Sequence, residues 1–224
     1  MAPYTKLPLS FEPAAPYLEE FRNGAGIDPS ASIVYKNPRL TVLHGPAVLS
    51  SGMPVADFTS YTRAGAVTVI PWHSKCRMLV MIRKIKTASG IAYYTFPGGT
   101  LSAGDDPLAL ANQELDEEAG LRAKRIVPLS FTGRRPESSA DVEHLYLAFV
   151  DSLKDMHGDQ DEGVVTKAVS LDDALVLHMT QHVEESSAVA LWRALPHLGN
   201  WPQTERAVGR AIKAARCAAG IKER

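Results

Sequence analysis

Three glutamates, Glu114, Glu117 and Glu118, lie three and four positions apart, shortly after the glycine pair of Phe96-Pro97-Gly98-Gly99. Residues at those spacings are neighbours on a helix surface, so the three carboxylates crowd one face and repel one another. Hard oxygen donors gathered in this way become favourable once Mg²⁺ or Mn²⁺ sits among them. Taken alone, E-x-x-E-E reads as an ordinary solvated acidic face. The glycine pair changes that reading, because backbone without side chains lets carbonyls and amides approach a ligand closely.

The element that positions these acids is a helix. Asp105 or Asp106 can cap its start, and Pro107 suits the first helical position, where a missing N–H costs nothing. Leu108 to Ala119 contains good helix formers with no internal Gly or Pro, and Gly120 sits where a left-handed residue commonly ends a helix. A helix of about three turns follows. Leu108, Ala111, Leu115 and Ala119 form a stripe expected to pack on a core, with the glutamates on a separate face.

Gly99, five residues, Asp105, seven residues and then Gln113-Glu114-Leu115-Asp116-Glu117-Glu118-Ala119-Gly120-Leu121 resembles the signature of the Nudix hydrolases. That signature is G-x5-E-x7-R-E-U-x-E-E-x-G-U, with U a bulky aliphatic residue. Every spacing holds, and the departures are Asp105 for glutamate and Gln113 for arginine. The resemblance implies that Glu114 and Glu118 are principal metal ligands, that Glu117 assists, and that the Gly98 carbonyl is a further ligand. It implies two or three Mg²⁺ (or Mn²⁺) ions that bind a diphosphate and activate water for attack on phosphorus. The family's arginine pairs with neighbouring carboxylates, whereas Gln113 brings no charge and no fork of donors. The expectation is a site that binds metal with less well oriented glutamates and a lower rate, which Gln113→Arg should raise.

The wider pattern is similar to the ADP-ribose and nucleotide-sugar pyrophosphatase subgroup, over roughly residues 33–196. That likeness implies a homodimer in which N-terminal strands reach the partner's substrate site. It also implies an acid before the strand at Val164 as general base or extra ligand; Asp159, Asp161 and Glu162 lie there, and Glu162 is favoured. The subgroup's Gln-aliphatic-Arg stretch is Lys84-Ile85-Lys86 here, and Thr95 stands where a glutamate is usual. Arg83, Lys84, Lys86, Arg134 and Arg135 are candidates to hold phosphates, with Arg134 and Arg135 ranked first for their place after a strand. Tyr93, Tyr94 and Phe96 are candidates to stack on a base, with a place in the core as the alternative. Among the histidines only His178 and His182 share a helical spacing, with no third zinc ligand beside them. Glu143 and His144 alternate faces of a strand and cannot act together directly.

The rest of the chain fits a catalytic domain. It has 224 residues, 45 % of them hydrophobic, enough for one or two domains with a sizeable core. A net charge of −1 gives no electrostatic footprint for a nucleic-acid polymer. Cys76 and Cys217 suggest reduced thiols rather than a disulfide framework. The N-terminus lacks the apolar core of a signal peptide and no apolar run reaches bilayer length, so a cytoplasmic location is expected.

Residues 1 to about 30 read as a Pro/Ala/Gly-rich arm with one short helix near Ala15–Arg22. Strands are expected at 33–35, 40–43, 58–62, 66–71, 78–82, 125–131, 142–150 and 164–169, with 72–77 as a turn. Helices are expected at 171–180, 187–195 and 204–219. The organisation predicted is an N-terminal arm and β region (1–62), a main domain (63–200) and a C-terminal helix (201–224). Strands flanked by helices on both sides indicate an α/β/α sandwich with a mixed sheet. Three functions stay open: a diphosphatase acting on a nucleoside diphosphate derivative, a hydrolase of nucleoside triphosphates or other small diphosphates, and a nucleotide-binding or sensing domain.

Overall fold

The computed structural model describes residues 32–37, 40–48, 54–63, 65–86, 90–102, 104–133, 142–159, 163–181, 183–199 and 201–220. The expected helix near Ala15–Arg22 lies outside them, as do Arg134, Arg135, Asp161, Glu162 and His182.

Strands β1 (Ser32–Asn37), β2 (Leu40–Val48) and β3 (Pro54–Arg63) form an antiparallel three-stranded sheet in that order. The second sheet contains β4 (Ala66–His73), β5 (Met78–Lys86), β6 (Ile91–Thr95), β7 (Arg125–Gly133), β8 (Val142–Val150) and β9 (Val165–Ser170). Its order is β6-β5-β4-β8-β7, with β9 also paired to β5. Strands β4 and β8 run parallel while the other pairs are antiparallel, so the sheet is mixed.

Alternation along the central strands divides the core in two. Val67, Val69, Val80, Tyr146 and Ala148 point to one face and pack on Ala111, Leu115 and Ala119 of α1 (Pro107–Ala119). Ile70, Trp72, Leu79, Met81, Leu145 and Leu147 point to the other. That face is covered by α2 (Leu171–Thr180) and α3 (Glu185–Ala194), with α4 (Trp201–Ala218) packed on α2. The result is the expected α/β/α sandwich. Helix α4 buries Ala207 and Ala211 in the same core, so residues 201–218 are packed into the main body.

Several elements differ from the sequence reading. Trp72 and His73 belong to β4, and the turn is confined to residues 74–77, where Arg77 takes φ 55°. Strand β6 carries no strand signal in the sequence, because Ile91-Ala92-Tyr93-Tyr94-Thr95 shows no alternation of apolar and polar residues. Leu108 is 42 % exposed and lies off the core stripe, whereas Glu118 joins Ala111, Leu115 and Ala119 on the buried face.

Candidate active site

The site forms where β4 and β5 part. They share only the pairs Trp72–Leu79 and His73–Met78 before β5 turns to pair with β6. The continuation of β6 fills the opening: Val69 N donates to Pro97 O, and Val67 exchanges backbone hydrogen bonds with Gly99 in both directions. In extended backbone, successive residues point their polar groups to opposite sides. With Pro97 and Gly99 turned to β4, the N–H and C=O of Gly98 face the other way, toward α1. Gly98 N–H does donate to Glu118 Oε2, at 2.8 Å.

Helix α1 is fixed at both ends by the residues that the sequence singles out. Asp106 is the N-cap, and its side chain accepts from Leu108 N. Asp105 instead accepts from Ser102 N at 2.6 Å, bracing the loop. Gly120 closes the helix at φ 63°, with its N–H on Asp116 O and Leu115 O. Sheet and helix thus hold the glycine loop and the glutamates face to face. A Cβ on Gly99 would collide with Glu114 Oε1, so only glycine leaves room for that carboxylate.

The three glutamates occupy different environments. Glu118 is 3 % exposed, with Oε2 on Gly98 N–H and Oε1 on Lys84 Nζ at 2.7 Å. Glu114 is half-buried against Gly99. Glu117 is exposed and accepts from Gln113 Nε2 at 3.0 Å. Among the described residues, no three His, Cys, Asp or Glu side chains converge as a ready-made metal cluster. The donor set still fits a hard divalent ion: two carboxylates and the Gly98 carbonyl side converge on one glycine cradle. Mg²⁺ characteristically takes one or two carboxylates and completes its shell with water and substrate phosphates.

Lys84, rather than Arg83, faces this centre. Alternation on β5 sends Lys84 to the α1 face, while Arg83 lies exposed on the opposite one. Lys86 ends β5. Phe96 is 1 % exposed and stacks on His178, ring centroids 5.8 Å apart, so its ring belongs to the core and offers no face to a base. His178 is likewise turned inward, its Nδ1 2.7 Å from Ala174 O.

Beside the glycine loop a cavity of about 150 Å³ is lined by Thr68, Lys84, Thr95, Gly99, Glu143 and Glu184. Glu143 is 2 % exposed and accepts from Thr68 Oγ1. Glu184 is the N-cap of α3 but makes no side-chain cap bond; its carboxylate accepts from Thr95 Oγ1 at 3.0 Å. Behind this wall the buried Ser187 Oγ bonds Thr95 Oγ1 and accepts from Phe96 N. A carboxylate therefore does stand beside Thr95, delivered by a distant helix. In the sequence Glu143 is set aside with His144 because the two alternate faces, and Glu184 carries no signal because it lies far from the glutamate motif; the buried-strand context of Glu143 is the signal that marks it.

The described residues on either side of 160–162 are held near Glu118. Thr166 Oγ1 donates to the Glu118 and His157 carbonyls, and Val164 N donates to Asp159 O.

Comparison with known proteins agrees with this architecture. The NUDIX domain family model matches residues 62–191, and the chain belongs to that family. It is 26 % identical over 126 residues to an ADP-ribose pyrophosphatase of Bacillus subtilis (strain 168), covering 54 % of this chain and 66 % of that protein. It is 29 % identical over 127 residues to a methanol dehydrogenase activator of Bacillus methanolicus, covering 56 % and 68 %. The chain thus spans about two thirds of the length of these relatives. A crystal structure of an ADP compounds hydrolase superposes with a TM-score of 0.63 at 20 % identity, covering 83 % of this chain and 96 % of that one, a likeness of fold.

Proposed function

We propose that this protein is a divalent-metal-dependent hydrolase that cleaves the diphosphate linkage of a nucleoside diphosphate derivative of the ADP-ribose or nucleotide-sugar type. The observation that carries the reading is the packing of Glu114 and Glu118 against the Gly98–Gly99 backbone. Glu114, Glu118 and the Gly98 carbonyl would hold Mg²⁺ or Mn²⁺, with Glu117 on the next turn. A bound ion of this kind neutralises charge on phosphoryl oxygens and lowers the pKa of a coordinated water.

The chain's own residues orient the site. Gly98 N–H and Lys84 fix both oxygens of Glu118, so the carboxylate is aimed before substrate arrives. Glu162, between the pinned residues Asp159 and Val164, is proposed as the base that takes the water's proton. Arg134 and Arg135, following β7, are proposed to hold the phosphate farther from the ion. The resemblance to dimeric pyrophosphatases and the exposed Ile33, Val34 and Tyr35 of β1 support a homodimer built through the N-terminal sheet.

Incubating the purified protein with a panel of nucleoside diphosphate derivatives and Mg²⁺ or Mn²⁺, followed by chromatography, tests the reading. Release of two phosphorylated fragments from at least one compound is expected. Clear binding of a nucleotide without turnover of any compound would replace the hydrolase with a sensing domain.

A further inference from the structure

We propose that Lys84 is a resident counter-cation of the site, holding Glu118 until a divalent ion binds and then passing its charge to the diphosphate. The inference rests on the metal-site reading above. A carboxylate that is 3 % exposed needs a compensating partner, because an unpaired buried charge is costly. On α1 the residue placed to supply a cation is Gln113, which is neutral and spends its amide on Glu117. The positive charge comes from β5 instead: Lys84 Nζ lies 2.7 Å from Glu118 Oε1, and strand alternation leaves it no other face.

That placement sets up a competition. An ammonium and a divalent ion on one carboxylate repel each other, and the ion carries the larger charge. Lysine is a point charge on a flexible four-carbon stem, so it can withdraw where a rigid guanidinium fork would resist. Its side chain already lines the cavity with Thr68, Thr95 and Gly99. Withdrawal therefore carries the ammonium into the space beside the glycine loop, where the anionic phosphates of a substrate would need it.

The signature is a pair of opposite effects that a merely structural lysine would not give. Calorimetric titration with Mn²⁺ should show Lys84→Met binding the ion roughly tenfold more tightly than wild type, the size expected for removing a nearby like charge. Titration of ADP into the Mn²⁺-loaded proteins should show binding weakened by roughly tenfold in the same variant. Lys84→Gln, whose amide can still donate to Glu118, should behave like Lys84→Met, whereas Lys84→Arg, which keeps the charge but yields less readily, should bind Mn²⁺ more weakly than wild type. Tighter Mn²⁺ with weaker ADP in both neutral variants supports the proposal. Mn²⁺ affinity that is unchanged or reduced, or ADP affinity that is unchanged, overturns it while leaving the metal site in place. Failure of wild type to bind Mn²⁺ would overturn the metal-site reading and this inference together.

Discussion

The two walls of the cleft were built in different ways. The α1 wall comes from one continuous stretch: Gly98 and Gly99, the Asp106 cap, and Glu114 through Glu118 before Gly120 ends the helix. The opposite wall is assembled from Thr68 on β4, Thr95 on β6, Glu143 on β8 and Glu184 before α3, with Ser187 of α3 supporting Thr95 from behind. The first is a local device whose geometry follows from helix periodicity and one close backbone approach. The second exists only once four elements have met. On the α1 wall the carboxylates press on glycine backbone and suit a cation, whereas on the far wall hydroxyls already bind Glu143 and Glu184.

The largest expected contrast comes from Glu118→Gln, which keeps the shape and removes the charge. Turnover should fall by on the order of 10²–10³-fold, the scale of losing one preorganised electrostatic group. Comparable activity in a steady-state assay would put the metal site elsewhere.

Gly99→Ala is the next. The new Cβ meets the tip of a flexible side chain, so Glu114 should swing aside while the backbone pairing with Val67 survives. A loss of roughly 10–100-fold in kcat/KM, the range for disturbing a metal centre's surroundings, should accompany a melting temperature close to wild type. Gly98→Ala should behave oppositely, since its Cβ would strike the Val67 carbonyl: thermal stability should fall first. Equal melting temperatures for the two variants would break the distinction.

On the far wall, Ser187→Ala should reverse the pattern. Ser187 is fully buried and serves both Thr95 and Phe96 N. Its loss should cost about 1–3 kcal/mol in denaturant unfolding, the cost of buried groups left unpaired, with turnover within a few-fold of wild type. A large loss of activity at unchanged stability would make this wall catalytic.

The smallest effect concerns His178, behind the same wall. Burial holds its pKa below the ordinary 6.5, with the hydrogen bond to the Ala174 carbonyl opposing the shift. The unfolded chain therefore takes up this proton at higher pH than the folded one. Stability is full above about pH 6.5 and declines as pH falls through the window between 6.5 and the lower folded value. His178→Phe should remove that part of the decline, so the stability difference should shift in the variant's favour between pH 8 and pH 5. Parallel stability curves would show that His178 is not responsible.

What the sequence disclosed follows the same division. The helix Pro107–Ala119, its cap, its left-handed end and the loop facing it were legible because each depends on neighbours in the chain. The burial of Glu118 and the exposure of Leu108 were not, because the sheet decides which face of α1 is covered. Alternation identified β8 from Val142 to Val150, yet it could not say that Glu143 would end beside Thr68. Lys84 was one of several lysines and arginines until β5 gave it a face and Glu118 a partner.

Mn²⁺ titration followed by electron paramagnetic resonance, run on wild type, Glu118→Gln and Ser187→Ala, tests the central claim most directly. The account predicts that free Mn²⁺ signal is lost on binding to wild type and Ser187→Ala with similar affinity, while Glu118→Gln binds at least tenfold more weakly, as for removal of a ligand. Equal binding by Glu118→Gln and wild type would contradict the assignment of the ion to the glycine loop and α1.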